Sequence, residues 1–483
     1  MNFGLIRYIL GYIMLLEGAM MIIPAAIAGA RHEDTHGVFL ITLAVLLALG
    51  LAMVIKKPKS KLMYAKEGFL GVVLSWVVLS LFGAMPFYFS GEIPSIIDAL
   101  FETVSGFSTT GATILTDVEA LPVSLLFWRS MTQWIGGMGV LMFMLAILPM
   151  AGGRSIFLAR AELPGPTVGK LVPKMRITAM ILYVIYIGLT LLEFFLLLAG
   201  GMPLFDSAVN ALATAGTGGY SVRNAGISYY NSAYFEGVIT VFMILFGVNF
   251  NVYFLIILRR LKQVFQIGEV KAYIAIILVC TAVITVNILP VYGSVWQAFR
   301  HSSFQVGAVI SSTCFNTVDF DLWPQLSRSI LLLLMFIGSC TGSTGGGFKV
   351  LRVMMLFKSV KNEIRKQLHP RSVSSIYIDK KPVGAGVAES VNIYFAAYFI
   401  ILALSTLLLS LDNFDMETNI TSAVASLNNM GPGLGSVVGP TDNFSAFSWH
   451  SKLVLCFDML AGRLEIIPVI TLFSSAMWRR RRA

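Results

Sequence analysis

Long apolar runs alternate along this chain with shorter stretches in which apolar and polar residues mix at helical spacing. The long runs cover residues 3–28, 37–55, 68–90, 128–149, 177–200, 233–258, 272–292, 329–357, 388–411 and 451–478. Each offers the roughly 20 apolar residues a helix needs to cross a hydrocarbon core of about 30 Å. They predict ten membrane-spanning helices. The mixed stretches follow the third, fifth, seventh and ninth runs: SIIDALFETVSGFSTTGATIL at 95–115, LFDSAVNALATAGTGGYSV at 204–222, AFRHSSFQVGAVISSTCFNTV at 298–318 and ETNITSAVASLNNMGPGLGSV at 417–437. Each is too polar and too short to cross, and reads as a half-helix with a hydroxyl- and glycine-rich tip.

Aligned without gaps, the four stretches place Gly111, Gly219, Cys314 and Gly431 in register, ten residues after Phe101, Val209, Phe304 and Thr421. This is an internal repeat of about one hundred residues, built as span, half-helix, tip and span. The expected organisation is a two-helix extension at 1–61 followed by repeats at 62–165, 166–262, 263–370 and 371–483. The fold class is thus all-α integral membrane, with four re-entrant half-helices related by pseudosymmetry. Glu17 interrupts the first run and no convincing cleavage site follows, so that run is expected to stay as a helix rather than act as a signal.

Composition agrees with the pattern. Hydrophobic residues make up 57% of the 483, charged residues only 12%, and the mean hydropathy is +0.80, which excludes an ordinary soluble domain. The net charge of +10 lies in alternate loops: KKPKSK at 56–61, Arg154 to Arg176, RRLK at 259–262, Lys349 to Lys381 and RRRR at 479–482. Basic loops stay in the cytoplasm, so both termini are expected inside a cell membrane, and the charge reads as topology signal and anionic-lipid contact, not nucleic-acid binding. The four half-helices then enter from outside. Neither the cysteines (Cys280, Cys314, Cys340, Cys456) nor the five histidines show metal-ligand spacing, and no organic cofactor is indicated.

Irregular backbone at membrane depth survives only where protein buries it or where it lines a watery cavity. Four half-helices would aim their partly negative C-terminal ends at a common axis, which favours a cation. Carbonyl and hydroxyl oxygens of Gly- and Thr-rich tips can replace an ion's hydration shell. The residues themselves therefore point to a cation pore. A second glycine-rich stretch, GSCTGSTGGGFK at 338–349, has the look of a phosphate loop, but Phe348 separates Gly347 from Lys349 and no Ser or Thr follows the lysine. It instead reads as a polar break inside the eighth run, with small side chains and glycines that permit rearrangement.

Six motifs together resemble the TrkH/KtrB superfamily of potassium transporters, and the two leading spans fit its TrkH branch. They are TTGAT at 109–113, TGGYS at 217–221, FNTVDF at 315–320, NMGPGLG at 429–435, WRSMTQWIGGMGVLMF at 128–143 and GSTGGGFKVLR at 342–352. The resemblance implies a potassium filter from Thr110, Gly111, Ala112, Gly218, Gly219, Thr313, Cys314, Phe315, Met430 and Gly431. Within that set the ion would bind at Thr110, Gly111, Gly218, Gly219, Thr313, Cys314, Met430 and Gly431. It implies a gate from Gly342, Ser343, Thr344, Gly345, Gly346, Gly347 and Lys349, with Arg463 below the filter. It also implies a homodimer and a TrkA-like cytosolic nucleotide-binding regulatory subunit. Gly111 goes with potassium preference in this superfamily. Cys314 departs from the usual glycine of the third segment; if its backbone is left-handed the cost is about 1–2 kcal/mol, and a less selective potassium/sodium or cation-coupled symport pathway is the alternative.

Charges within apolar runs are the remaining signals, since each costs about 2.5–3.5 kcal/mol at a helix centre on insertion scales. FDMLAGRLEIIP at 457–468 carries Asp458, Arg463 and Glu465 inside the last span; Asp458 and Glu465, seven apart, are expected to share a helix face, with Arg463 on a different one. Glu102 is expected either to stabilise the first tip from behind or to add negative potential at the mouth, Asp98 and Asp206 to cap their half-helices, and Glu17 and Glu193 to be interhelical hydrogen-bonding groups. Competing readings are a KdpA-like pore subunit of a potassium-pumping ATPase, an inverted-repeat secondary transporter, and an enzyme built on Asp458, Arg463 and Glu465. The span count and the 342–349 loop oppose the first, the common side of entry opposes the second, and the lack of a nucleophile or metal set opposes the third.

Overall fold

The computed structural model describes residues 1–60, 64–139, 175–369, 376–379 and 381–478. Among these, six helices are long and apolar enough to cross a membrane. They are α1 (Phe3–Ala30), α2 (Thr35–Ile55), α3 (Ala65–Phe89), α6 (Met175–Ala199), α10 (Gly268–Tyr292) and α14 (Ala385–Leu409). A seventh such unit is broken: α8 (Ala233–Phe246) and α9 (Phe250–Ile257) meet at a bend of 98°.

The other three runs are not continuous helices either, which corrects the sequence expectation. The run at 128–149 gives α5 (Val123–Gly137), and residues 140–149 lie outside the described residues. The run at 329–357 gives α12 (Gln325–Ile337) and α13 (Val350–Leu368) on either side of an irregular loop. The last run gives α16 (Trp449–Arg463) and α17 (Ile467–Phe473). Wherever it is described, the second long helix of a repeat stops or bends after about four turns. A two-stranded hairpin, β1 (Tyr377–Ile378) and β2 (Lys381–Pro382), with Tyr377 opposite Pro382, adds a small departure from an all-helical chain.

Four short helices occupy the places of the mixed stretches: α4 (Ile96–Phe107), α7 (Leu204–Gly216), α11 (Val295–Ile310) and α15 (Met416–Leu427). Their starts are set by local chemistry. Ser95 accepts the Asp98 amide in α4, Asp415 accepts the amide and hydroxyl of Thr418 in α15, and Pro203 stands at the N-cap of α7.

Packing relates the four units cyclically. The second helix of each repeat lies against the short helix of the next: α5 on α7, α8 on α11, α12 on α15, and α16 back on α4. The ring closes. Outside it, α1 packs on α2, α3 and α5, and Glu33 of the α1–α2 turn accepts the amides of Val123 and Ser124 at 3.1 and 3.2 Å. That carboxylate satisfies two of the open donors at the start of α5.

Candidate functional site

Each short helix ends in the same backbone signature. Thr109, Thr217, Ser312 and Asn429, two residues before the four register positions, have left-handed φ of 59°, 55°, 60° and 53°. None is glycine; Asn429 is of a type that tolerates this region, while Thr109, Thr217 and Ser312, two of them β-branched, are strained by about 1–2 kcal/mol each. Three of the four are closed by the same bond five residues back: Thr110 to Ser105, Gly218 to Ala213 and Met430 to Ala425, at 2.8–3.0 Å. This is the helix-ending turn in which a left-handed residue lets the next amide cap an open carbonyl. The third unit departs, for there the Cys314 amide donates to Ala308 and the Thr313 amide to the Ser311 hydroxyl.

The turns bring the four tips together. Gly111 and Gly219 have φ of +83° and +73°, and a Cβ on either would collide with a carbonyl of the next segment, Gly218 O and Thr313 O respectively. A Cβ on Gly431 would lie 3.0 Å from Gly111 O, and the Cys314 thiol reaches the Gly431 backbone. The contacts run from the first segment to the second, third, fourth and back to the first. Gly111, Gly219, Cys314 and Gly431 all line one cavity of about 190 Å³. Ala112 lines the same cavity; Thr110 and Thr313 do not, and are fully buried, their hydroxyls sharing hydrogen bonds with those of Ser108 and Ser311. Phe315 and Met430 turn their side chains into apolar clusters, Phe315 beside Ile227 and Phe304, Met430 beside Val424 and Leu434, so only their backbones can face the axis.

Cys314 does adopt a left-handed backbone, φ 56°. Cys314→Gly should therefore stabilise the protein by about 1 kcal/mol through relief of that strain. A thermal unfolding midpoint in detergent that stays put or falls would show that the thiol contact with Gly431 outweighs the strain.

Behind the tips lies a polar scaffold. Glu102 accepts the Ile114 amide and the Thr113 hydroxyl, and pairs at 2.8 Å with Arg129 of α5, both side chains being fully buried. The guanidinium also sits 4.0 Å over the ring of Tyr220, whose hydroxyl donates to the carbonyls of Glu102 and Ala112. Gln133 accepts the Tyr220 amide, and the Asn429 amide group donates to the Thr110 hydroxyl. Glu102 is thus where sequence reasoning placed it, whereas Arg129, Gln133, Tyr220 and Asn429 were not singled out. An arginine within an apolar run, 27 residues after a buried glutamate, was the readable sign of the pair.

The 338–349 loop lies under the tips. Its Gly346 amide donates to the Ser312 hydroxyl at 2.6 Å, its Gly347 amide to Asn428 O at 3.0 Å, and a Cβ on Gly345 would crowd Ser311 O. The glycines are therefore required by close approach to the ends of α11 and α15. The loop is also laced to the bend of the second repeat: Cys340 N–H donates to Gly247 O, Phe250 N–H to Gly342 O, and the Thr344 hydroxyl to Phe246 O. Inside it the Ser343 and Ser339 hydroxyls share a hydrogen bond, and the Lys349 ammonium donates to Gly345 O. From the break in the last span, Arg463 donates to Thr344 O at 2.8 Å and to the carbonyls of Gly136 and Gly137 at the end of α5. One guanidinium joins the loop to the first and fourth units.

Several expectations fail here. Asp458 and Glu465 do not share a helix face, because α16 ends at Arg463 and Glu465 has φ 60°. Asp458 accepts the Ser405 hydroxyl, while Glu465 pairs with Arg352 of α13. Asp98 and Asp206 do not cap their helices: Asp98 pairs with Lys452 at 2.6 Å, and Asp206 accepts Tyr230 at 2.7 Å and faces Arg223. Glu17 and Glu193 are buried: Glu17 lies against Gly83 of α3 with no hydrogen-bond donor among the described residues, and Glu193 of α6 faces the Thr214 side chain of α7.

Residues 35–480 match the TrkH family, described as a cation transport protein. The chain is 37% identical over 489 residues to the Trk system potassium uptake protein TrkH of Escherichia coli K12, covering 99% of this chain and all of that one. Its identity to the TrkH of Halomonas elongata is 33% over 487 residues, with 99% and 100% covered. It superposes on the crystal structure of the potassium transporter TrkH from Vibrio parahaemolyticus with a TM-score of 0.89 at 31% identity, covering 99% of this chain and 100% of that one.

Proposed function

The chain belongs to the TrkH family of cation transport proteins, and from that premise we propose that it takes up potassium across the cell membrane through the four-tip opening, gated by the 338–349 loop. It is a transport protein, not an enzyme. The observation that carries the reading is the meeting of four left-handed turns at one cavity, with a glycine loop and an arginine directly beneath. Potassium entering from that cavity would exchange water for the oxygens of Thr110, Gly111, Gly218, Gly219, Thr313, Cys314, Met430 and Gly431. A potential that is negative inside supplies about 2.3 kcal/mol per charge per 100 mV.

In this reading the broken second helices count as single crossings, which gives ten spans, four re-entrant half-helices and the repeat boundaries set out above, with both termini cytoplasmic. Relatives named for a Trk system support partners of that system; that these are a second copy of the chain and a TrkA-like nucleotide-binding subunit on the cytoplasmic face is part of the proposal, carried by the resemblance alone. The left-handed backbone of Cys314 matches that of Gly111 and Gly219 at the same register position, which favours a potassium-selective over a mixed potassium/sodium pathway.

The test is cation flux into liposomes holding the purified protein. Potassium and rubidium should pass at least about tenfold faster than sodium and lithium, and Gly111→Ser should narrow that ratio, because a side chain there collides with Gly218 O. Equal rates for all four cations in the wild type would sink the filter assignment.

A further inference from the structure

Both flanks of the loop end on one carboxylate. Glu269, in the first turn of α10 and 4% exposed, accepts the Thr341 amide at 2.6 Å and the Leu351 amide at 3.3 Å on the same oxygen, Oε1. These two amides stand ten residues apart and bracket Gly342 to Lys349. A polar group held at two such points fixes the separation and depth of everything between them.

The same turn of α10 is held from outside the spans. The Gly268 amide donates to Asp379 Oδ1 at 2.8 Å, and Asp379 lies in the exposed turn of the β1–β2 hairpin. That hairpin is tied in turn to α13, the helix leaving the loop, by Lys358, whose ammonium donates to Tyr377 O at 2.6 Å. A chain of contacts therefore runs from the hairpin through α10 to the loop. The alternative partners of Glu269 are few, since burial removes water as a substitute acceptor for the two amides.

We propose that Glu269 is a positioning residue that latches the 338–349 loop beneath the filter segments, and that the Asp379 turn sets the latch. This rests on the reading of that loop as the gate. The latch holds the loop only while both amides share its oxygen, so moving the hairpin shifts the start of α10 and loosens both flanks together. A small bias of this kind suffices, because a two-state loop responds to whatever favours one arrangement over the other.

The experiment uses rubidium flux into liposomes and, as a second readout, alkylation of Cys340, which neighbours Thr341 and is fully buried, in a background of Cys280→Ala, Cys314→Gly and Cys456→Ala. Glu269→Leu should raise both flux and alkylation by at least about tenfold, the scale set by hydrogen bonds to a charged acceptor. Glu269→Gln keeps an acceptor oxygen and should change each less than about threefold. Asp379→Ala, on an exposed turn where folding is not at stake, should move both readouts in the same direction. Deletion of Gly345 to Gly347 tests the gate itself. If the deletion opens the pore while Glu269→Leu and Asp379→Ala leave flux and alkylation unchanged, the latch is wrong and the gate stands. If the deletion leaves flux unchanged, the loop is no gate and the latch falls with it.

Discussion

Arg463→Met is expected to raise potassium flux by roughly tenfold to a thousandfold without loss of folding. A unit charge a few ångströms from the ion path opposes a cation by about 2–4 kcal/mol at an effective dielectric near 20, and each 1.4 kcal/mol is about a factor of ten. The substitution also removes three bonds at once: those to Thr344 O in the loop and to Gly136 O and Gly137 O at the end of α5. Arg463→Lys separates the two contributions, because an ammonium keeps the charge but cannot bridge three carbonyls in the planar geometry of a guanidinium. If charge dominates, lysine behaves as wild type. If the bridge dominates, lysine resembles methionine. Rubidium uptake unchanged in Arg463→Met, in protein that still elutes as a folded species, would take Arg463 out of the gate.

Why Arg463 stands there at all follows from a break that hydropathy does not reveal. The last run, 451–478, reads as one helix, and on that helix Asp458 and Glu465 align. In the structure the chain leaves the helix at Leu464, and Glu465 swings to Arg352. The same limit applies to 233–258: the freed backbone groups at its bend are satisfied by Gly342 and Cys340, roughly ninety residues on. Local periodicity records whether a residue is apolar, not whether a distant loop will supply its hydrogen bonds. Short-range features were legible for the converse reason. The half-helices, their tips and the ten-residue register depend on caps and turns within a few residues, and α4, α7, α11 and α15 fall where the pattern placed them. Asp98 and Asp206 were misread because a carboxylate in a first turn has two ordinary fates, and Lys452 lies 354 residues from Asp98.

The polar scaffold behind the first tip gives the second large effect. Glu102→Gln should cost about 3–5 kcal/mol of stability, because it leaves the Arg129 guanidinium buried without its counter-charge. Function should suffer in step: a glutamine without the ion pair to Arg129 is no longer held in place to accept from Ile114 and Thr113, so the segment after Gly111 relaxes and the potassium-to-sodium flux ratio falls. Arg129→Met alone should be as damaging, for it strands the carboxylate and removes the cation from the Tyr220 ring. The double variant Glu102→Gln/Arg129→Met should regain a large part of the stability, since a neutral pair needs no buried counter-charge. Thermal unfolding of the four proteins in detergent forms a double-mutant cycle whose coupling reports the pair directly. Selectivity separates the two roles of Glu102: glutamine can still accept the Ile114 amide through its carbonyl oxygen, so a double variant that recovers both stability and flux ratio assigns the pair to folding alone. A double variant that recovers stability but not the ratio assigns the ion pair to the shape of the filter. Additive losses, with no recovery in the double variant, would mean that Glu102 and Arg129 act independently and that the scaffold described here does not couple α4 to α5.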